Sequence, residues 1–213
     1  MIKSYCLNHG QNYTYRYHSA KLDNLVSNGF SSLREYLMDV GKSCPENIFL
    51  SGPRSSSMHL DLNIVLEEVT GHKMSELANH ALKNYPGTPH EKVQVCALEN
   101  DSSIVAMEVP LWIKPTDLIG LNISENILSK MFKDGELLTG HIDLLAIEDG
   151  NIWIWDFKPR AHKEKYAKTQ VLLYALMLSK RTRINLDKFR CGYFDENRAY
   201  LFKPALELLS DLP

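Results

Sequence analysis

Residues 139–158 run Thr-Gly-His-Ile-Asp-Leu-Leu-Ala-Ile-Glu-Asp-Gly-Asn-Ile-Trp-Ile-Trp-Asp-Phe-Lys, two mostly apolar stretches joined by Asp149-Gly150. That dipeptide suits the type I′ turn of a two-residue β-hairpin, whose central residues both need positive φ. The turn sets the register, so Ile147 faces Ile152, Leu145 faces Ile154 and Asp143 faces Asp156. Side chains two apart share a strand face, which brings Lys158 to the same end of the ribbon as the two aspartates. Opposed residues have Cβ atoms about 4.5–5.5 Å apart, where like charges repel. A divalent cation with oxygen ligands, Mg2+ or Mn2+, would neutralise the pair and would suit a phosphate-bearing substrate. The plainer alternative is a pair of strand-end aspartates with Lys158 salt-bridged to one of them. Their Ile, Leu and Trp flanks count against it, because charges are rarely buried without a partner.

Downstream of the hairpin, apolar spacing predicts a long amphipathic helix over 163–180, then strands over 189–194 and 199–202 joined across Glu196-Asn197. Upstream, two strands are expected over 93–98 and 104–113, with a turn at Asn100-Asp101, followed by a short helix over 124–132. A helix begins at Met74, with Leu77, Ala78, Ala81, Leu82 and Tyr85 at helical spacing, and ends at Pro86-Gly87. The run 51–57 is a loop by its turn chemistry, leading into a segment expected to be helical up to Thr70-Gly71, and a short helix is expected over 33–40. The element order predicts a single α/β unit, a mixed central sheet flanked by helices. It divides into a helical and irregular N-terminal extension, 1–66, packed on a core over 67–213.

Gly140-x-x-Asp143, Asp156-x-Lys158 and Gln170-x-x-x-Tyr174 together resemble the signature of the PD-(D/E)XK nuclease superfamily. The match is to its RecB-like branch, which includes the CRISPR-associated exonucleases, over roughly residues 67–204. The resemblance implies a restriction-endonuclease-like core and a metal-dependent DNA nuclease. Asp143 and Asp156 would bind Mg2+ or Mn2+ with the main-chain carbonyl of Phe157, and Lys158 would position or polarise the attacking water. The products would carry 5′-phosphate and 3′-hydroxyl ends. Gln170 and Tyr174 match the pair that supports the site, and a further metal ligand from an upstream helix corresponds to His80 or, one turn earlier, Glu76. The substrate would be duplex, single-stranded or branched DNA, cut in an exonuclease-like or structure-selective manner. A dimeric Holliday-junction-resolvase-like enzyme and a binding module without catalysis stay open as alternatives.

The residues themselves add detail. Gln170 lies in the stripe of Tyr166, Leu173, Tyr174 and Met177, where an unpaired amide is costly, so it should have a specific hydrogen-bond partner. His141 is assigned to the strand face opposite Asp143 and a structural role, and His59, His72 and His90 to the surface. Glu108 resembles an acidic family residue placed before an extended turn, supporting the site or forming a salt bridge.

The 213 residues are 44% hydrophobic and 23% charged, enough for a buried core and unlike a disordered chain. No window approaches the ~18 apolar residues of a membrane span, and no secretory pattern opens the chain, so a cytoplasmic protein with no membrane partner is expected. Cys6, Cys44, Cys96 and Cys191 lie far apart, which argues against a zinc ribbon or disulfide framework. CRISPR-associated relatives often hold an iron-sulfur cluster on four cysteines, three near the C-terminus. Only Cys191 lies there, so no cluster is expected, and length and N-terminal third are more similar to small nucleases of mobile elements or archaeal viruses. The net charge of −2 hides a segment, 158–190, with ten Lys and Arg against two acids. Its Arg160, Lys163, Lys165 and Lys168 are the expected footprint of a phosphate backbone.

Overall fold

Asp149 and Gly150 take left-handed φ values of 50° and 69°, so the predicted turn forms and the hairpin grows from it. The computed structural model describes residues 1–26, 29–132 and 137–210. Among these, the strands are β1 (Ile2–Asn8), β2 (Asn12–His18), β3 (Glu67–Thr70), β4 (Ile104–Ile113), β5 (Leu138–Glu148), β6 (Asn151–Phe157), β7 (Phe189–Phe194) and β8 (Arg198–Phe202). They form one sheet in the order β1-β2-β4-β5-β6-β7-β8-β3. Only β6 and β7 run parallel. That pair needs a crossover, which a helix supplies.

The helices are α1 (Ser19–Val26), α2 (Ser31–Ser43), α3 (Ile48–Ser51), α4 (Lys73–Asn84), α5 (Pro89–Asn100), α6 (Glu125–Met131) and α7 (Ala167–Thr182). The crossover helix α7 shares the larger core with α1, α2 and α6. A smaller core under α4 and α5 holds Met74, Ala78, Val93, Cys96 and Trp155. The result is the expected mixed sheet flanked by helices, but α7 is less amphipathic than its spacing implied, since residues 169–178 are all buried.

Three expectations fail locally. Residues 93–98 belong to α5, because Thr88 and Glu91 form a reciprocal capping box around Pro89 and start a helix that outweighs the alternating Val93-Gln94-Val95. The segment before Gly71 is strand β3, which pairs with β8 through Val69↔Ala199. The N-terminal extension opens with the hairpin β1–β2, and Arg16↔Met107 and Tyr17↔Ala106 join it to β4. Tyr15 and Tyr17 fill the core there, so the tyrosine-rich start is a strand rather than irregular chain.

One irregularity positions the site. Along β5, Leu145 and Ile147 pack in the larger core and Leu144 and Ala146 in the smaller, yet past Asp143 the neighbouring Ile142 returns to the larger one. Strand β4 changes sides at the same level, with Met107 in the smaller core and Val109 and Leu111 in the larger. Between Met107↔Leu144 and Val109↔Ile142 sits Glu108, whose left-handed φ of 53° turns the strand over.

Candidate active site

The β5–β6 ladder ends at Leu144↔Trp155. Beyond it the Asp143 carboxylate takes over, its Oδ2 accepting the Phe157 N–H at 2.9 Å. Asp156 is 1% exposed, with Oδ2 2.8 Å from Lys158 Nζ. Its Oδ1 accepts from Gln170 Nε2 at 3.1 Å, and the same amide donates to the Tyr174 hydroxyl at 2.7 Å. Gln170 and Tyr174 are one turn apart on α7, so one helix face closes over the strand ends. Gly140 permits this approach: a Cβ there would lie 2.4 Å from the Tyr174 ring and 2.5 Å from Ser55 Oγ.

Two further residues join this group, His90, which the sequence reading put at the surface, and Glu108, for which it left site support and a salt bridge both open. His90, assigned to the surface, stands in the first turn of α5 with Nδ1 3.4 Å from Asp143 Oδ2. Glu108 is held by Gln94, whose Nε2 donates to Oε1 at 2.7 Å. The available signal was Thr88-Pro89-His90-Glu91, a helix start that puts His90 at the sheet end of α5 and Gln94 one turn on. His141 also needs correction. It lies two residues from Asp143 and lines the same cleft.

Burial, then repulsion from Asp143, pushes Asp156 up to about 7 and Glu108 up to about 8. Burial opposes the charge on Lys158, but Asp156 and then Asp143 outweigh it and raise its pKa. A hydrogen bond to Asp143 likewise raises His90, against burial. The centre is short of positive charge.

His80 and Glu76 do not join this group. Helix α4 buries Met74, Ala78 and Ala81 against the sheet, which turns Glu76 and His80 to solvent. The His80 ring is 3.2 Å from Asn84 Nδ2 and packs against Tyr85. The upstream helix that reaches the carboxylates is α5, not α4. Arg160 and Lys163 are exposed around the short turn before α7, Lys165 pairs with Asp61 at 3.1 Å, and Lys168 is half-buried. None of the four lines the cleft that holds Asp143, Asp156 and Lys158, which has a volume of about 290 Å³. A neighbouring cavity of about 550 Å³, between β2 and the 86–88 loop, shares Gln11, Tyr13, His90 and Glu108 with it.

Residues 66–207 match the family model of the PD-(D/E)XK nuclease superfamily. The chain belongs to that superfamily. No curated protein matches it. PD-(D/E)XK nucleases generally use a divalent metal such as Mg2+ or Mn2+, and the residues present fit one. Asp143 and Asp156 offer oxygen donors, and the raised pKa values of Asp156 and Glu108 mark a place where a cation would be stabilising. Among the described residues no three His, Cys, Asp or Glu side chains are grouped to hold a metal unaided. The fit is therefore to a site of two carboxylates completed by water and substrate, which is common for Mg2+.

Proposed function

We propose that this chain is a metal-dependent DNA nuclease of the RecB-like type that hydrolyses phosphodiester bonds to leave 5′-phosphate and 3′-hydroxyl ends. Its action is read as exonuclease-like or structure-selective. The observation that carries the reading is the meeting of Asp143, Asp156 and Lys158 where the β5–β6 ladder ends, with Gln170 fastening Asp156 from behind. When bound to Asp143, Asp156 and the Phe157 carbonyl, Mg2+ or Mn2+ supplies Lewis acidity at the scissile phosphate. Lys158 acts as a charged donor rather than a base, because the aspartates hold its proton. It orients the attacking water and meets the negative charge that develops on the phosphate. Gln170 restricts Asp156 to one rotamer, and Tyr174 fixes the amide. Arg160, Lys163, Lys165 and Lys168 contact the DNA backbone outside the cleft. Residues 67–213 form the nuclease core and 1–66 an extension packed on it.

The test is cleavage of labelled single-stranded, duplex and branched DNA with Mg2+ or Mn2+, by wild type and by Asp156→Ala and Lys158→Ala. Each variant is expected to lose roughly 10²-fold or more in rate. Equal cleavage by all three proteins would remove the assignment.

A further inference from the structure

Two permanent cations line the catalytic cleft, Lys158 and Arg54. Lys158 is paired with Asp156. Arg54 is not paired with any acid among the described residues: it donates from Nη1 to the Tyr13 hydroxyl and from Nη2 to the His9 carbonyl, both neutral acceptors. Arg34, Arg181 and Arg198 each meet a carboxylate. A half-buried guanidinium that keeps its full charge and has donors to spare, on the wall of a cleft, is a site for an anion.

Its position is built rather than incidental. Arg54 bridges to Thr139 of β5, and Thr139 N donates to the Pro53 carbonyl at 2.9 Å, so the 53–57 segment is fastened to the strand that carries Asp143. On the other side, the Tyr13 ring stacks on His141 with centroids 4.0 Å apart, and His9 Nδ1 lies 2.7 Å from His141 Nε2. Phe49 stacks on His9 at 3.8 Å. The two residues that orient the guanidinium are thus locked to β5 two positions from Asp143. The matched family region begins at residue 66, so Arg54, Tyr13 and His9 are supplied by the segment before it.

We propose that Arg54, oriented by Tyr13 and His9, binds a non-scissile phosphate of the nucleic-acid strand held in the cleft, and so sets which position of the strand reaches Asp143 and Asp156. The inference rests on the nuclease reading above. Lys158 serves the phosphate being cut, and Arg54 is the second cationic contact within the cleft. The ligand chemistry is a phosphate, either an internal diester or a terminal monoester.

Binding of fluorescent DNA without metal, in EDTA across a salt series, tests the contact apart from cleavage. The strands are linear with a 5′-phosphate, linear with a 5′-hydroxyl, and closed circular. Arg54→Gln keeps neutral donors for His9 and Tyr13 but removes the charge, and Ser56→Asp places an acid on the same exposed wall without touching those bonds. Both are expected to weaken binding about 10-fold, and Arg54→Gln to lower the salt slope by about one phosphate contact. With Mg2+ the loss appears in KM more than in kcat. Equal weakening on all three strands assigns an internal phosphate, and weakening confined to the 5′-phosphorylated strand assigns a terminal one. Wild-type affinity and salt slope in both variants on every strand would overturn the proposal. Absence of cleavage by wild type, with Arg54-dependent binding retained, would instead remove the nuclease reading and leave the phosphate contact standing.

Discussion

Glu108 shows at the scale of a single residue what this site costs. Its backbone is left-handed, its half-buried side chain lies beside Asp143, and its pKa rises from 4.5 to about 8. Between those values the unfolded chain has lost the proton while the folded chain keeps it, so stability falls as pH rises. In EDTA, Glu108→Gln should therefore gain on wild type from pH 5 to about pH 8, by on the order of 2 kcal/mol at the upper end. Thermal melts across that range would show it, and a constant offset between the two proteins would count against it. The clustered Asp143 and Asp156 were readable because an Asp-Gly turn sets register over short distances. Glu108 was readable only as an ambiguous acid, because its φ of 53° breaks the alternation from which strand faces are inferred.

Helix α5 carries the same lesson at the scale of an element. Val93-Gln94-Val95 has the alternation of a strand, but Val93, Gln94, Cys96, Ala97 and Leu98 are buried while Val95 is only half-buried, which is not a period of two. The capping box at Thr88 decides for the helix, accepting the Glu91 N–H while the Glu91 carboxylate takes the Thr88 N–H. Thr88→Ala should cost about 1 kcal/mol of stability, and Thr88→Ser should restore most of it. Urea unfolding of the three proteins measures this, and coincident curves would show that packing alone holds α5. Because His90 sits in the capped turn, the local cap also positions the side chain that meets Asp143. Helix α4 matched the expected helix closely, yet its Glu76 and His80 face solvent, since periodicity reveals which face is buried and not which helix end meets the sheet's carboxylates.

For the whole molecule, the N-terminal hairpin extends the sheet past β4 and is tied to β5 by the buried His9–His141 contact. At 2.7 Å one ring nitrogen donates and the other accepts, so a second proton is disfavoured. Burial lowers His9 from 6.5 to about 4 and His141 well below its usual value. The unfolded state then binds more protons between pH 6.5 and about 4, and stability falls as pH drops through that window. His9→Phe keeps a ring against Phe49 without the titration, so its stability relative to wild type should rise as pH falls from 6.5 to about 4, by on the order of 3 kcal/mol at most. Parallel unfolding free energies at all pH values would disprove it. The sequence by itself determined the β5–β6 hairpin, the gathering of Asp143, Asp156 and Lys158 in one cleft, and the Gln170–Tyr174 face of a helix, because turn chemistry and short periodicities act over a few residues. Tertiary structure alone decided that α5 rather than α4 supplies His90, that Glu108 turns into the acidic group, and that Tyr13 and Arg54 wall the cleft. Those contacts join residues far apart in the chain, and they depend on how the sheet edge and the helices pack rather than on any local pattern.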